Sequence, residues 1–143
     1  EISNHALNGA ESRHNLIYWR YGDYVGVGPG AHGRITSKGN RIATVTTQNP
    51  EDWLRNVELK GTATSDDEII KPRDQAAEYL MMSLRLTEGL DMNRFENLCG
   101  TALDNQVIDK NIQNGLLKVN NNNLIATQRG KIILNTVIKD LLI

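Results

Sequence analysis

The chain has 143 residues, enough for one ordinary domain or two small ones, with 39% hydrophobic and 23% charged residues, a globular balance rather than a disordered one. A formal net charge of -1 gives no electrostatic case for nucleic acid, and no apolar run approaches the roughly 18 residues a membrane helix needs. The single cysteine, Cys99, cannot close an internal disulfide, which fits a reducing compartment.

The chain opens on "EISNHA" without a methionine, so it reads as part of something longer. Residues 12–34, "SRHNLIYWRYGDYVGVGPGAHGR", concentrate two of the three histidines, His14 and His32, with Tyr18, Trp19, Tyr21, Tyr24 and five glycines. Tyr24 to Val27 reads as a short apolar strand that breaks into a Gly-Pro-Gly turn. "RITSKGNRIATVTT" has β-branched residues on both sides of Lys38-Gly39-Asn40, a hairpin signal. In "NPEDWLRNVEL", Asn49 is the expected N-cap, Pro50 the first helical position and Glu51 and Asp52 the acidic first turn. "GTATSDDEIIK" reads as a connector.

Residues 73–87 give the strongest helical pattern, with Ala76, Ala77, Leu80, Met81 and Leu84 on one face and Gly89 as the stop. Met81 and Met82 read as core filler. A second helix is expected over 91–98, capped by Asp91, and a third over 101–113, with Gly115 just past its end. Cys99 lies at a helix end and reads as a partly buried bystander. "GLLKV" and "LIAT" flank an asparagine turn and predict a hairpin. A last helix starts at Thr127 and buries Ile132, Ile133, Val137, Ile138 and Leu141. Helices, a hairpin and a closing helix are the order of a winged-helix-like module. The acidic balance of its third helix, "TALDNQVIDKNIQN", argues against DNA.

The chemistry-bearing residues lie early. In "HNLIYW", His14 offers a soft-metal ligand with two aromatics four and five residues on. Heme iron takes a neutral imidazole and the porphyrin takes flat apolar surfaces, so the residue types suit heme. A single histidine is more often an ordinary hydrogen-bonded residue. The run "GVGPGAHG" lacks the lysine of a phosphate loop and the spacing of a dinucleotide fingerprint. It reads equally as a strand-end loop lying against a small ligand or as a tight turn.

The stretch from Glu1 to Arg34, with "WLRNVELKG", "EYLMMSLRLTEGLD" and "GLLKVNNNNLIATQRGKIILNTVIKDLL", resembles the C-terminal half of the HemW family, the heme-chaperone branch of the radical SAM proteins related to the oxygen-independent coproporphyrinogen III oxidases. The resemblance implies an α+β fold. Residues 1–60 would be the last strands of a partial (β/α) radical SAM barrel and residues 61–143 a helical, winged-helix-like C-terminal domain. It implies heme at His14, Asn15, Tyr18 and Trp19, the "HNxxYW" motif of the family, with His14 on the iron. It implies S-adenosylmethionine at Gly28, Pro29, Gly30, Ala31 and His32.

The family's [4Fe–4S] cluster is held by a Cys-x3-Cys-x2-Cys motif that this stretch does not contain, so the stretch alone would not be catalytic. The implied function is heme binding and delivery to acceptor proteins in the cytoplasm. The alternative is an oxidase of porphyrin biosynthesis. With earlier barrel strands missing, Tyr24 to Val27 would form an exposed edge that invites association between copies.

Overall fold

The computed structural model describes residues 6, 7 and 9–142, and His5 lies outside them. The chain is α+β and divides into two compact units, Gly22–Lys71 and Glu1–Tyr21 with Pro72–Ile143. By packing, the divisions fall at 21/22 and 71/72, whereas the sequence places one boundary at 60/61. The difference arises because the expected connector contains a strand that pairs back into the first sheet.

The Gly22–Lys71 unit holds β1 (His32–Ser37), β2 (Asn40–Thr46), α2 (Pro50–Lys60) and β3 (Thr64–Ile69), with an antiparallel sheet in the order β1-β2-β3. The β1–β2 hairpin closes at Lys38 and Gly39, with φ 50° and 79°, the two positive values that a two-residue turn matched to strand twist requires. Asn49 caps α2 through its side chain, which accepts from Glu51 N and Asp52 N.

Tyr24 to Val27 is not a strand. Tyr24 makes one isolated bridge to Arg34, while Val25 and Val27 are 70% and 84% exposed. Gly26 there backs onto the His32 carbonyl, where a Cβ would come to 2.6 Å of the oxygen. The expected association edge is therefore not formed by this segment. One edge of this sheet is β3, exposed along its whole length, with Asp66, Asp67 and Glu68 as charges of the kind that discourage edge pairing.

The other unit holds α1 (Arg13–Trp19), α3 (Pro72–Ser83), β4 (Leu90–Asp91), α4 (Met92–Cys99), α5 (Asn105–Gln113), β5 (Leu117–Asn120), β6 (Asn123–Ala126), α6 (Gln128–Ile132) and α7 (Leu134–Leu141). Its antiparallel sheet runs β4-β6-β5. The β5–β6 turn uses Asn121 and Asn122 at φ 46° and 69°, a conformation asparagine adopts more readily than most residues. Leu80, Leu84, Leu90, Leu117, Leu124 and Val137 are fully buried and define the core.

Four expectations need correction here. The helix begun at 72 ends at Ser83, whose hydroxyl donates back to the Tyr79 carbonyl, and short-range bonds such as Leu86 N to Ser83 O tighten the chain before Gly89. Met81 is 38% exposed rather than core. The third helix starts at Asn105, not 101, because Asp104 caps it and Leu103 drops into the core. The last helix breaks at Ile133. Gly130 is pressed against the Leu116 carbonyl, which fixes α6 to the hairpin base. The buried stripe then restarts on α7, leaving Ile132 83% and Ile133 44% exposed.

Candidate functional site

Helix α1 carries "RHNLIYW" and is only seven residues long, too short to persist alone in water. Ser12 caps its start by accepting from Asn15 N at 3.3 Å, and none of its residues is fully buried. Its C-terminal end is anchored by side chains of the same unit. Arg20 donates to both carboxylate oxygens of Glu88, at 2.7 and 2.8 Å. The Arg94 guanidinium forks onto the carbonyls of Arg20 and Tyr21, at 2.9 and 3.2 Å, while lying 4.6 Å over the Tyr79 ring.

The Tyr79 hydroxyl accepts from Asp91 N, the residue that caps α4. Tyr21 turns into the left-handed region at φ 56° and buries its ring beside Tyr79. The hydrogen bond from Arg20 holds the Glu88 carboxyl below the usual carboxylate range, and burial pushes the Tyr79 phenol up. Arg20, Glu88, Arg94 and Tyr79 were not legible as a group, because their partners stand 68 and 74 residues apart in the chain.

This clamp makes a specific prediction. Arg94→Ala removes two charge-assisted bonds to the end of α1 and the contact with Tyr79. It should cost on the order of 1–2 kcal/mol locally and speed amide exchange over residues 13–19. Unchanged exchange there would show that α1 is held by other contacts.

On α1, His14 and Tyr18 are one turn apart and share a face. The His14 Nε2 lies 2.6 Å from the Tyr18 hydroxyl, and the rings meet edge to face at 4.9 Å between centroids. His14 is exposed, while Asn15, Tyr18 and Trp19 are half-buried. The four motif residues are therefore brought onto one short helix whose imidazole reaches solvent.

The expected second site, Gly28 to His32, lies in the other unit. Gly28 and Gly30 have φ 102° and 67°, values that an L side chain resists. Thr46 organises the loop: its hydroxyl donates to the Gly28 carbonyl at 2.6 Å and accepts from Ala31 N at 2.9 Å. Gly30 N donates to Thr47 O at 2.9 Å. Pro29 is exposed between the two glycines, and His32 opens β1 with its side chain exposed. Thr46 was missed because nothing in its own strand pattern marks it.

Among the described residues, no group of three or more histidines, cysteines or carboxylates converges as a metal cage. A cavity of about 820 Å³ opens among α3, α4, α5 and α7, lined in part by Arg73, Phe95, Cys99, Leu103 and Lys110 and by none of the motif residues. Cys99 Sγ there lies 3.0 Å from the Thr101 carbonyl.

Residues 70–133 match the HemN C-terminal domain family. The chain is 33% identical over 153 residues to radical S-adenosyl methionine domain-containing protein 1, mitochondrial, of Danio rerio, covering 100% of this chain and 34% of that protein. It is 33% identical to the heme chaperone HemW of Haemophilus influenzae and 31% to that of Escherichia coli, each over 97% of this chain and 36% of the relative. The fold superposes on Escherichia coli coproporphyrinogen III oxidase (HemN), a radical SAM enzyme, with a TM-score of 0.59 at 17% identity, over 84% of this chain and 28% of that one. The chain belongs to the HemW/HemN-like radical SAM proteins, with a HemN C-terminal domain at residues 70–133. It spans about a third of the length of the curated relatives it matches.

Proposed function

We propose that this chain is the C-terminal part of a HemW-like protein that binds heme as cargo and delivers it to acceptor proteins. The observation that carries the reading is His14: an exposed imidazole on a clamped helix, held through one ring nitrogen by Tyr18, with Trp19 half-buried on the same helix. A neutral imidazole is a suitable axial donor, and an orienting hydrogen bond on its far nitrogen is what such ligands commonly have. The residues therefore fit the cargo. Relatives named heme chaperone support the reading along nearly the whole chain.

In the same reading, the Gly22–Lys71 unit continues the end of a radical SAM barrel, and the part from Pro72 onward forms a winged-helix-like appendage. The loop Gly28, Pro29, Gly30, Ala31 and His32 lies against S-adenosylmethionine. That cofactor would serve radical chemistry with a cluster held by the rest of the protein. The oxidase alternative has the support of a fold likeness at 17% identity. We propose the cytoplasm as the compartment, and the fish relative named mitochondrial marks the alternative. No helix among the described residues is long and apolar enough to cross a membrane.

A heme titration of the full-length protein tests the proposal. It should give a saturable Soret change. Trp19→Ala should weaken binding roughly 3–10-fold with the band position nearly unchanged, because it removes an aromatic contact and no ligand. Absence of any saturable change would overturn the reading.

A further inference from the structure

We infer that Tyr18 is a positioning residue that fixes the tautomer and orientation of His14, so that Nδ1 is the ring nitrogen left open to iron. The inference rests on the heme reading above. In neutral imidazole one nitrogen carries the proton and the other carries the free lone pair. The Tyr18 hydroxyl lies 2.6 Å from Nε2, which commits that nitrogen to a hydrogen bond. A nitrogen so engaged is not the one presented to a metal. A phenol can donate or accept there; in the pose we assign, Nε2–H donates to the Tyr18 oxygen and the lone pair stands on Nδ1.

The geometry supports a fixed pose rather than a passing contact. His14 and Tyr18 are one helical turn apart, and their rings meet at 88° with centroids 4.9 Å apart. The hydroxyl bond and the ring edge thus constrain both the position and the rotation of the imidazole. Exposure of His14 leaves the ring reachable by a large planar ligand. Hydrogen bonding at the distal nitrogen also raises ligand basicity, so Tyr18 would tune the iron as well as aim the ring. Tyr18 thereby takes a role different from porphyrin contact.

The test separates this role from the heme reading. Nitrogen-15 NMR of heme-free protein should report His14 as the Nε2–H tautomer, and Tyr18→Phe should shift it toward a mixture. In heme titrations Tyr18→Phe should lower affinity about 10–100-fold and shift the Soret band, the loss typical when a partner behind a metal-binding histidine is removed. Trp19→Ala, by contrast, should leave the band in place. An Nδ1–H tautomer in the wild type, or an Nε2–H tautomer that Tyr18→Phe leaves unchanged, would overturn the inference whatever heme does. A Soret band dependent on His14 but indifferent to Tyr18 would overturn the positioning role and spare the heme reading. The expected tautomer with a Soret band indifferent to His14 would overturn both, and the failure would lie in the heme reading.

Discussion

Leu80→Ala should destabilise the helical unit by about 2–5 kcal/mol, read as a lowered denaturation midpoint by circular dichroism at constant m-value. Leu80 has no exposed surface and sits in a cluster with Tyr21, Leu84, Leu90 and Val137. Truncation removes buried methyl groups and leaves a cavity that fixed neighbours fill only in part. The functional consequence is indirect. Tyr21 ends the segment that carries α1 and packs in this same cluster, so a loosened core should also loosen the clamp on His14. A loss below about 1 kcal/mol would mean the site collapses far more freely than close packing allows.

Arg41→Met should cost the sheet unit about 2–3 kcal/mol, below the 3–5 typical of a broken buried pair because its partner is partly solvated. The Arg41 side chain is 7% exposed and that of Asp23 is 45% exposed. Arg41 bonds Asp23 directly, reaches Thr36 Oγ1 at 3.3 Å and donates to the Gly22 carbonyl at 2.8 Å. Asp23 in turn accepts from Thr36 N and Thr36 Oγ1, at 2.7 and 2.9 Å. Burial alone would raise the Asp23 pKa, but the Thr36 hydrogen bonds and Arg41 together hold it below its ordinary value.

A depressed carboxyl stabilises the fold at pH values above its unfolded pKa. That contribution is lost as pH falls through the lower, folded value. Acid titration of stability should therefore show a smaller loss in Arg41→Met than in wild type. Equal acid sensitivity would remove Arg41 from the account.

Much of the architecture is legible from local chemistry. Asn49-Pro50, Asp91 and Thr127 announce three helix starts, and each side chain accepts the backbone bonds expected of it. Lys38-Gly39 and the asparagine run announce both hairpins. What stays hidden is whatever depends on distant partners. β3 is a run of acids and polar residues that becomes a strand only because β2 offers it an edge. The apolar period through Ile132 and Ile133 runs on unbroken in the sequence, yet α6 stops at Ile132 and the backbone leaves helical geometry at Ile133, φ -117°, before α7 begins.

The site divides in the same way. The spacing of His14 and Tyr18 is visible as i, i+4, but the residues that hold α1 come from α3, α4 and the turn between them. Arg94 and Glu88 look like ordinary surface charges in the sequence. Only the fold shows that both grip the end of α1.

A heme titration of full-length wild type, His14→Ala and His32→Ala, following affinity and Soret position together, tests most directly whether His14 ligates heme iron. An axial nitrogen supplies both, so the two should move together in His14→Ala and neither should move in His32→Ala, whose imidazole belongs to the other unit. His14→Ala should lose at least about 10-fold in affinity, as expected when an iron–nitrogen bond is removed. Wild-type affinity and an unshifted Soret band in His14→Ala would contradict the account.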